Sequence, residues 1–574
     1  MELSTSRPRV LGWLRSAAIL DGDWGTSICY VLGIALFHAG YYSGWHLMMM
    51  LVFTAIIALN YITLCRLYPN GGGVYSSVSH RSRNLAVIGA LLLSADYIIT
   101  ASLSVLDACH YLALDFPVVW AVGIILCISV LNWFGPRHAG SLAILISSAT
   151  LTALVILMVA AFPAASKSIS FEPAPGGLFP NWHFFVAIIL SISGIEAISN
   201  MTGVMKDPTR SSRKAILSVL VKITLATIIL GFAMRAIPNL DPEAHKEEMI
   251  RFLGEHYVGN WFGPIVGFVL GFLLISAGNT ALNALVSIQF LMSVDGELPG
   301  SLRRLNKYGV PIIPLVVATL LPIIILLLIH DVITLSALYA IGVVGAILIN
   351  VGSTGTDKTI KLKPWIRAFL LVSAVLLFLV ETTIAIEKHT AVIFASSVIV
   401  LGLGAREFSR RQRLAVEAKR AITGITVPAI VSAPQAETRP FTSRMLVAVR
   451  GGGERLLRQV CEEAKFRNAF LFVLSVKQVS VAGLLPEKIS GEQFVNNQWM
   501  EKICQEYSIP FRVIGILSPE VGYTIAEQAA TLGVDRVVLG SSQRSLVEQA
   551  LRGDVIRTVS ELLPEEIQLS IQRA

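Results

Sequence analysis

The stretch Asp21-Gly22-Asp23-Trp24-Gly25-Thr26-Ser27 interrupts the first long apolar block of the chain part-way along its length. Its two glycines weaken a helix, and its two hydroxyl side chains can bond the backbone groups that a broken helix leaves free. A helix break at membrane depth is tolerated only where it is buried in protein or lines a cavity. The stretch therefore predicts a discontinuous membrane helix with an acid, Asp23, at the break.

A second apolar block carries a similar interruption, Ser191-Ile192-Ser193-Gly194-Ile195-Glu196, with Gly194 as the candidate break. The two interrupted blocks are the first and the sixth of the chain, and would occupy corresponding positions in two repeats of five helices. Paired interruptions of this kind are the best sequence indication of a transporter's binding site. We therefore expect the two breaks to meet around the transported substrate.

Long apolar blocks fill the chain up to about residue 404, and an ordinary soluble composition follows. The chain is 54% hydrophobic and 15% charged, against about 25% charge in an average soluble protein. Many blocks are close to the roughly 20 residues that a membrane helix needs. We predict an all-α domain of twelve membrane helices, in which an inverted repeat of five plus five helices is followed by two more. The twelve helices are predicted at 16–38, 45–67, 84–112, 117–135, 139–162, 183–204, 214–237, 263–293, 311–329, 332–353, 365–386 and 389–404.

Basic residues are concentrated in alternate connections between the blocks and in a cluster at Arg406, Arg410, Arg411 and Arg413. An excess of Lys and Arg marks the cytoplasmic side of a membrane protein. The pattern predicts a multi-pass protein of the inner cell membrane, surrounded by lipids, with a cytoplasmic N-terminus and tail. The net charge of +8 follows from this topology, and we predict no nucleic-acid partner.

Ionisable side chains inside the blocks are functional candidates, because a charge at the centre of a membrane helix costs about 2.5–3.5 kcal/mol. The clearest are Asp23, Asp96 and Glu196. Thr100 shares a helix face with Asp96 by its i, i+4 spacing, while Tyr30 and Tyr339 lie in the first and tenth blocks. Such oxygens suit a dehydrated alkali cation. We expect Asp107, Lys222 and Glu381 to form ion pairs or to reach the membrane surface.

Two further motifs carry a resemblance to a known family: Pro69-Asn70-Gly71-Gly72-Gly73-Val74-Tyr75 after the second block, and Ser293-Val294-Asp295-Gly296-Glu297-Leu298-Pro299 after the eighth. With the paired interruptions, they resemble the amino acid–polyamine–organocation superfamily and its LeuT-like fold. The run from Gly22 to Ser27, with Tyr30, resembles the GDxGTSxxY signature of Kup-type potassium transporters. The likeness covers nearly the whole chain and is greatest to the KimA-like group, whose members carry a universal-stress-protein domain.

This resemblance implies high-affinity, proton-coupled potassium import by a homodimer. It implies a potassium path lined by Asp23, Tyr30, Asp96, Thr100, Ser193, Glu196 and Tyr339. Ser193 stands where a Thr is expected and keeps the oxygen. For the coupling proton we favour Glu196, with Asp96 as the alternative. The rival functions are transport of an amino acid, which Asp23 would repel through the substrate carboxylate, transport of an organic amine or polyamine, and nutrient sensing without transport.

The tail divides into a linker, 406–443, and a domain, 444–574, in which strands and helices alternate as in an α/β fold with a parallel sheet. It resembles a universal-stress-protein domain, whose nucleotide signature is G-x2-G-x9-G-[ST]. Gln543 and Asp554 depart from that signature, so the alternative is an inert or dimerising domain. The resemblance implies cyclic di-AMP, or less readily ATP, as a regulatory ligand of Arg450, Gly451, Gly540, Ser541 and Gly553.

Sequence motifs for catalysis are missing: the chain has no Walker lysine motif, no nucleophile elbow and no metal-ligand spacing. We therefore predict a secondary transporter that is driven by a gradient. The expected function is not enzymatic, and potassium is the only metal ion that we expect it to bind.

Overall fold

The computed structural model describes residues 2–5, 9, 11–71, 73–135, 139–423, 443–449, 453–480, 488–490, 498–541 and 554–572. The part up to residue 423 is helical apart from its first residues. Its helices are α1 (Trp13–Asp21), α2 (Ser27–Ala39), α3 (Ser43–Leu67), α4 (Val74–Ser79), α5 (Arg83–Tyr111), α6 (Pro117–Trp133), α7 (Ala139–Lys167), α8 (Leu178–Ala187), α9 (Ala197–Met201), α10 (Pro208–Arg235), α11 (Met249–Tyr257), α12 (Phe262–Val294), α13 (Ile312–Leu328), α14 (Val332–Thr356), α15 (Pro364–Glu387) and α16 (His389–Thr423).

Eight helical runs among the described residues are long and apolar enough to cross a membrane. One of them, Trp24–Leu67, contains both α2 and α3, which a short 3-10 turn joins. The apolar helices α6 and α13 are shorter, and the interrupted first and sixth blocks are divided into shorter pieces. The predicted multi-pass membrane domain is therefore confirmed, while the count of twelve stays a prediction.

Helix α5 lies at the centre of this domain, packed against α12 and α14. Of its most apolar window, 89% is buried, against 11% for α16, which therefore lies at the periphery. The side chain of Ser82 caps the start of α5 by accepting a hydrogen bond from Leu85 N at 3.3 Å. Burial of α5 on all sides means that any ionisable side chain on it faces protein and not lipid.

Helix α16 continues beyond the end that the sequence predicts for the membrane domain. It runs to Thr423, so the predicted linker 406–443 begins as helix. Arg406 Nε contacts Glu297 Oε2 at 2.5 Å, and Ser409 Oγ donates to the Leu298 carbonyl at 3.1 Å. These contacts attach the helix to the connection after α12. The predicted linker segment 424–442 lies outside the described residues.

The tail supplies six strands of a seven-stranded sheet in the order β4-β1-β5-β3-β2-β6-β7. The strands of this sheet are β1 (Glu2–Thr5), β2 (Ser443–Ala448), β3 (Ala469–Gln478), β4 (Lys488–Ser490), β5 (Phe511–Ser518), β6 (Arg536–Gly540) and β7 (Gln568–Gln572), with helices α17 (Glu454–Phe466), α18 (Gln498–Glu506), α19 (Val521–Thr531) and α20 (Val555–Leu562). The pairs β5–β3, β3–β2, β2–β6 and β6–β7 are parallel. The predicted α/β domain with a parallel sheet is confirmed.

The first strand of this sheet comes from the N-terminus of the chain. Strand β1 pairs in parallel with β5 and antiparallel with β4. The sequence prediction assigned residues 1–405 to the membrane domain, so it is wrong for Glu2–Thr5. The physical reason is that the outer edge of β5 presents unpaired backbone groups that any extended segment can cover.

A direct contact joins the tail to the connection between α12 and α13. Ser480 N donates to the Gly309 carbonyl at 2.8 Å, and Ser480 Oγ donates to the Tyr308 carbonyl at 3.2 Å. Gly309 has φ +80°, and a Cβ atom there would overlap the Gln478 carbonyl. The chain at the carboxyl end of β3 therefore contacts the membrane domain at a position where only glycine fits.

Candidate functional site

The first helix break lies between α1 and α2. Helix α1 ends at Asp21 and α2 begins at Ser27, with a 3-10 turn over Trp24–Thr26 between them. Asp23 has φ −120° and ψ −76°, outside the helical region. Thr26 Oγ1 donates to the Asp23 carbonyl at 2.5 Å, which satisfies one backbone acceptor that the interruption leaves free.

The second break lies between α8, which ends at Ala187, and α9, which begins at Ala197. Within it Gly194 has φ +89°, a conformation that a residue with a side chain rarely adopts. A Cβ atom at this glycine would lie 2.6 Å from Trp24 N and 2.9 Å from the Asp23 carbonyl carbon. The two breaks are therefore in direct contact, and the absence of a side chain at Gly194 allows that contact.

Three buried acids surround the meeting point of the breaks. Asp23, Asp96 and Glu196 are 5%, 1% and 5% exposed, and their carboxylates lie within electrostatic range of one another. Glu196 Oε2 accepts a hydrogen bond from Gly194 N at 3.0 Å. Asp96 Oδ2 has no hydrogen-bond partner in the described part of the chain. The site is thus strongly acidic and partly unsatisfied.

Hydroxyl groups complete the predicted set. Tyr339 is buried within electrostatic range of Tyr30 and of all three acids. Thr100 Oγ1 donates to the Asp96 carbonyl at 2.9 Å and lies 3.5 Å from Asp96 Oδ1. Ser193 Oγ is buried without a hydrogen-bond partner in the described chain, near the Asp96 carboxyl. The structure therefore brings all seven sequence-predicted residues to one region.

The three acids do not converge as a compact metal centre. Among the described residues, no group of three His, Cys, Asp or Glu side chains could hold a metal ion together. The polar groups around the breaks are carboxylates, hydroxyls and backbone carbonyls, which together form a mixed set of oxygen atoms. Alkali cations, which bind oxygen dipoles in place of their hydration shell, suit such a mixed set.

The structure adds residues that the sequence did not single out. Tyr61 on α3 and Tyr97 on α5 are buried within electrostatic range of Glu196 and Asp96. Asn200 Nδ2 donates to Tyr97 Oη at 3.1 Å. A signal existed for one of them, since Tyr97 directly follows an intramembrane acid. Tyr61, inside a long apolar block, has no sequence feature that separates it from a packing residue.

The other three intramembrane charges behave differently from one another. Lys222 Nζ contacts Asp21 Oδ1 at 2.5 Å, so the prediction of an ion pair is confirmed for Lys222. Ser147 Oγ donates to Asp21 Oδ2 at 2.6 Å. The prediction is wrong for Asp107, whose two carboxylate oxygens are buried without a partner in the described chain. Glu381 likewise has an unpartnered Oε2.

Two of the predicted nucleotide residues of the tail, Gly540 and Ser541, lie at the carboxyl edge of its sheet. Gly540 ends β6, and Ser541 N donates to the Gln572 carbonyl at 2.8 Å. Strands β2 and β6 are neighbours in the sheet, and the helices that come after them, α17 and α20, pack on opposite faces of it. Ligands of open α/β sheets bind at such a position. Arg450, Gly451 and Gly553 lie outside the described residues.

Broken helices with acids at their meeting point define a multi-pass membrane protein of the transporter class. A comparison with known families identifies the family within this class. The chain belongs to the amino acid permease family, whose sequence profile matches residues 11–403. The match covers the membrane domain and ends before the tail. Members of this family are transporters and not, in general, enzymes.

Proposed function

We propose that the chain imports potassium across the cell membrane, by secondary transport coupled to protons. The observation that carries the proposal is the set of three buried acids, Asp23, Asp96 and Glu196, around the contact between two helix breaks. Buried carboxylates that outnumber nearby cations favour a positively charged substrate. The hydroxyl oxygens beside them favour a hard, dehydrated cation. The nearby ammonium of Lys222 is already paired with Asp21.

Transport of an amino acid is less well supported by the geometry. A substrate carboxylate would bind the backbone amides of the first break, and Gly194 already packs against Trp24 N. Asp23 would also repel that carboxylate. An organic amine or polyamine is the second candidate, because an ammonium group can pair with Asp23 and because the family match fits such a substrate at least as well.

Rubidium flux into a strain that lacks its own potassium uptake tests the proposal. Expression of this chain should give flux that excess potassium abolishes and that amines leave unchanged. Counter-flow in liposomes that hold the purified protein separates transport from sensing. An absence of rubidium flux, with uptake of an amine, would replace potassium by the second candidate, and inactivity in both assays would favour a sensor.

For the coupling proton we favour Glu196, with Asp96 as the alternative. The Glu196 carboxylate lies at the second break and has one backbone hydrogen bond, from Gly194 N at 3.0 Å. A carboxyl at a helix break can take up and release a proton as the two breaks separate during transport. Asp96 lies on a continuous helix, α5, and is less directly affected by movement of the breaks.

We propose that the tail regulates transport from the cytoplasmic side, and that cyclic di-AMP, or less readily ATP, is its ligand. The support is geometric: Ser480, which contacts the membrane domain at Gly309, lies just after the carboxyl end of β3. Gly540 and Ser541, two of the predicted nucleotide residues, lie at the end of β6 in the same parallel sheet and at the same edge. A ligand at this edge can therefore change the contact. A homodimer, which the resemblance implies, is part of this proposal, and light scattering in detergent tests it.

A further inference from the structure

Asp107 is the intramembrane acid that the proposed site does not use. Its side chain is 0% exposed, and neither Oδ1 nor Oδ2 has a hydrogen-bond partner in the described part of the chain. A carboxyl in this state is stable only when it is protonated or when a cation or water satisfies its oxygens. The burial and the two free oxygens therefore make Asp107 a position where a bound cation would remove an energetic cost.

The position of Asp107 relates it to the candidate site. It lies eleven residues after Asp96 on α5, just over three full helical turns, so both side chains leave the same face about 16.5 Å apart along the axis. Tyr30 is within electrostatic range of both Asp23 and Asp107. Tyr30 is thus near both an acid of the helix breaks and Asp107.

On its other side Asp107 faces the segment that precedes α11, which the charge pattern places outside the membrane. Glu247 and Glu248 of this segment lie within electrostatic range of Asp107. Glu247 pairs with His110 Nδ1 at 3.0 Å, and Glu248 lies 3.4 Å from Arg251 Nη1. Clefts lined by one sign of charge raise the local concentration of the opposite charge. Asp107, Glu247 and Glu248 outnumber the bases His110 and Arg251 beside them, and this excess of acids favours a cation at the outer end of α5.

We propose that Asp107 forms an outer binding station for a monovalent cation, between the external segment at Glu247–Glu248 and the site at the helix breaks. The inference rests on the proposed cation transport and adds a second binding position to it. The station collects the cation at low external concentration and passes it along α5, past Tyr30. It is an accessory to transport, since the coordinating oxygens at the breaks remain intact without it.

The test is rubidium uptake as a function of external rubidium in Asp107→Asn, with Asp115→Asn as the matched control. Asp115 is exposed just beyond the end of α5 and undergoes the same chemical change. Asp107→Asn should raise KM by roughly tenfold, the low end of what charge focusing provides, with the maximal rate kept. Asp107→Glu should restore most of the affinity, and Asp115→Asn should match the wild type.

The remaining outcomes are decisive as well. An unchanged KM in Asp107→Asn, alongside normal wild-type flux, would overturn the station and leave the proposed function intact. Loss of flux at saturating rubidium would also overturn it, because Asp107 would then be obligatory. A marked fall in Tm for Asp107→Asn in detergent would show that Asp107 has a structural partner and would contradict the inference. No rubidium flux in the wild type would overturn both proposals.

Discussion

Gly194 and Trp24 are in van der Waals contact across the two helix breaks: a Cβ atom at Gly194 would lie 2.6 Å from Trp24 N. The contact means that neither break can move far without the other. Because Asp23 precedes Trp24 and Glu196 follows Gly194, the same contact fixes the separation of two acids. Separation of Gly194 from Trp24 is the simplest movement that would expose both carboxylates to the other side of the membrane.

Gly194→Ala should reduce rubidium uptake by at least about tenfold, since a non-glycine residue in such a conformation costs about 1–3 kcal/mol and its Cβ would overlap the first break. Flux per folded protein measures the effect. Gly123→Ala is the matched control, because Gly123 lies in helix α6 with nothing near its Cβ position. Wild-type flux in Gly194→Ala would contradict the close contact.

Asp23→Asn and Asp96→Asn should each abolish uptake while the protein is still made and inserted. Both remove a buried negative charge from the site and leave a side chain of nearly the same size. Rubidium flux is the measurement, with membrane content determined by immunoblot. The exposed Asp115→Asn again serves as the control. Near-normal flux in both variants would show that the cation binds elsewhere.

Glu196→Gln should lose the dependence of uptake on external pH. The amide oxygen of Gln can still accept the hydrogen bond from Gly194 N, so the shape of the break is kept. The amide cannot carry a proton, whereas wild-type uptake should increase as external pH falls, because inward proton movement drives it. Flux over a range of external pH values tests this. A variant with the full pH dependence would move the coupling role to Asp96.

Lys222→Met should destabilise the protein by about 3–5 kcal/mol, because it leaves the buried Asp21 carboxylate without its partner. The double variant with Asp21→Asn should recover most of this loss, since no unpaired charge remains. Thermal unfolding in detergent compares the single and double variants. Lys167→Met, at an exposed position, is the control. Equal stability of the single and double variants would mean that the pair is not energetically coupled.

Much of the candidate site could be predicted from the sequence because charges and glycines inside apolar blocks are rare and conspicuous. Asp23, Asp96 and Glu196 were found in this way, together with the two breaks. Tyr61 could not be, because an aromatic residue in an apolar block usually serves in packing. The free carboxylate of Asp107 was also beyond prediction, since helical spacing does not show what a neighbouring helix offers as a partner.

The fold could likewise be predicted only in part from the sequence. The parallel sheet of the tail was predictable from buried strand patterns, whereas Glu2–Thr5 is too short to show any periodicity. Its pairing depends on an open edge of β5, far away in the sequence. The continuation of α16 was missed because a basic segment resembles a linker, while its order comes from tertiary contacts such as Arg406 with Glu297.

A chain that ends after Thr423 should still transport and should lose its inhibition by cyclic di-AMP. Arg406 and Ser409 hold α16 against the connection after α12, so the whole helix should be kept. The polar residues of the candidate site all precede this end. Rubidium flux with and without the nucleotide, in liposomes loaded with it, is the measurement.

Gly309→Ala in the full chain tests the contact between the tail and the membrane domain without removing the tail. A Cβ atom at Gly309 would overlap the Gln478 carbonyl, so the tail can no longer rest on the membrane domain. We expect this variant to transport and to respond weakly to the nucleotide, because a ligand acts only through a difference between the two arrangements. Gly300→Ala, in the same connection with nothing near its Cβ position, should keep full inhibition. Inhibition that survives truncation would place the nucleotide site in the membrane domain, and a well-folded truncated protein without transport would make the tail part of the transport cycle.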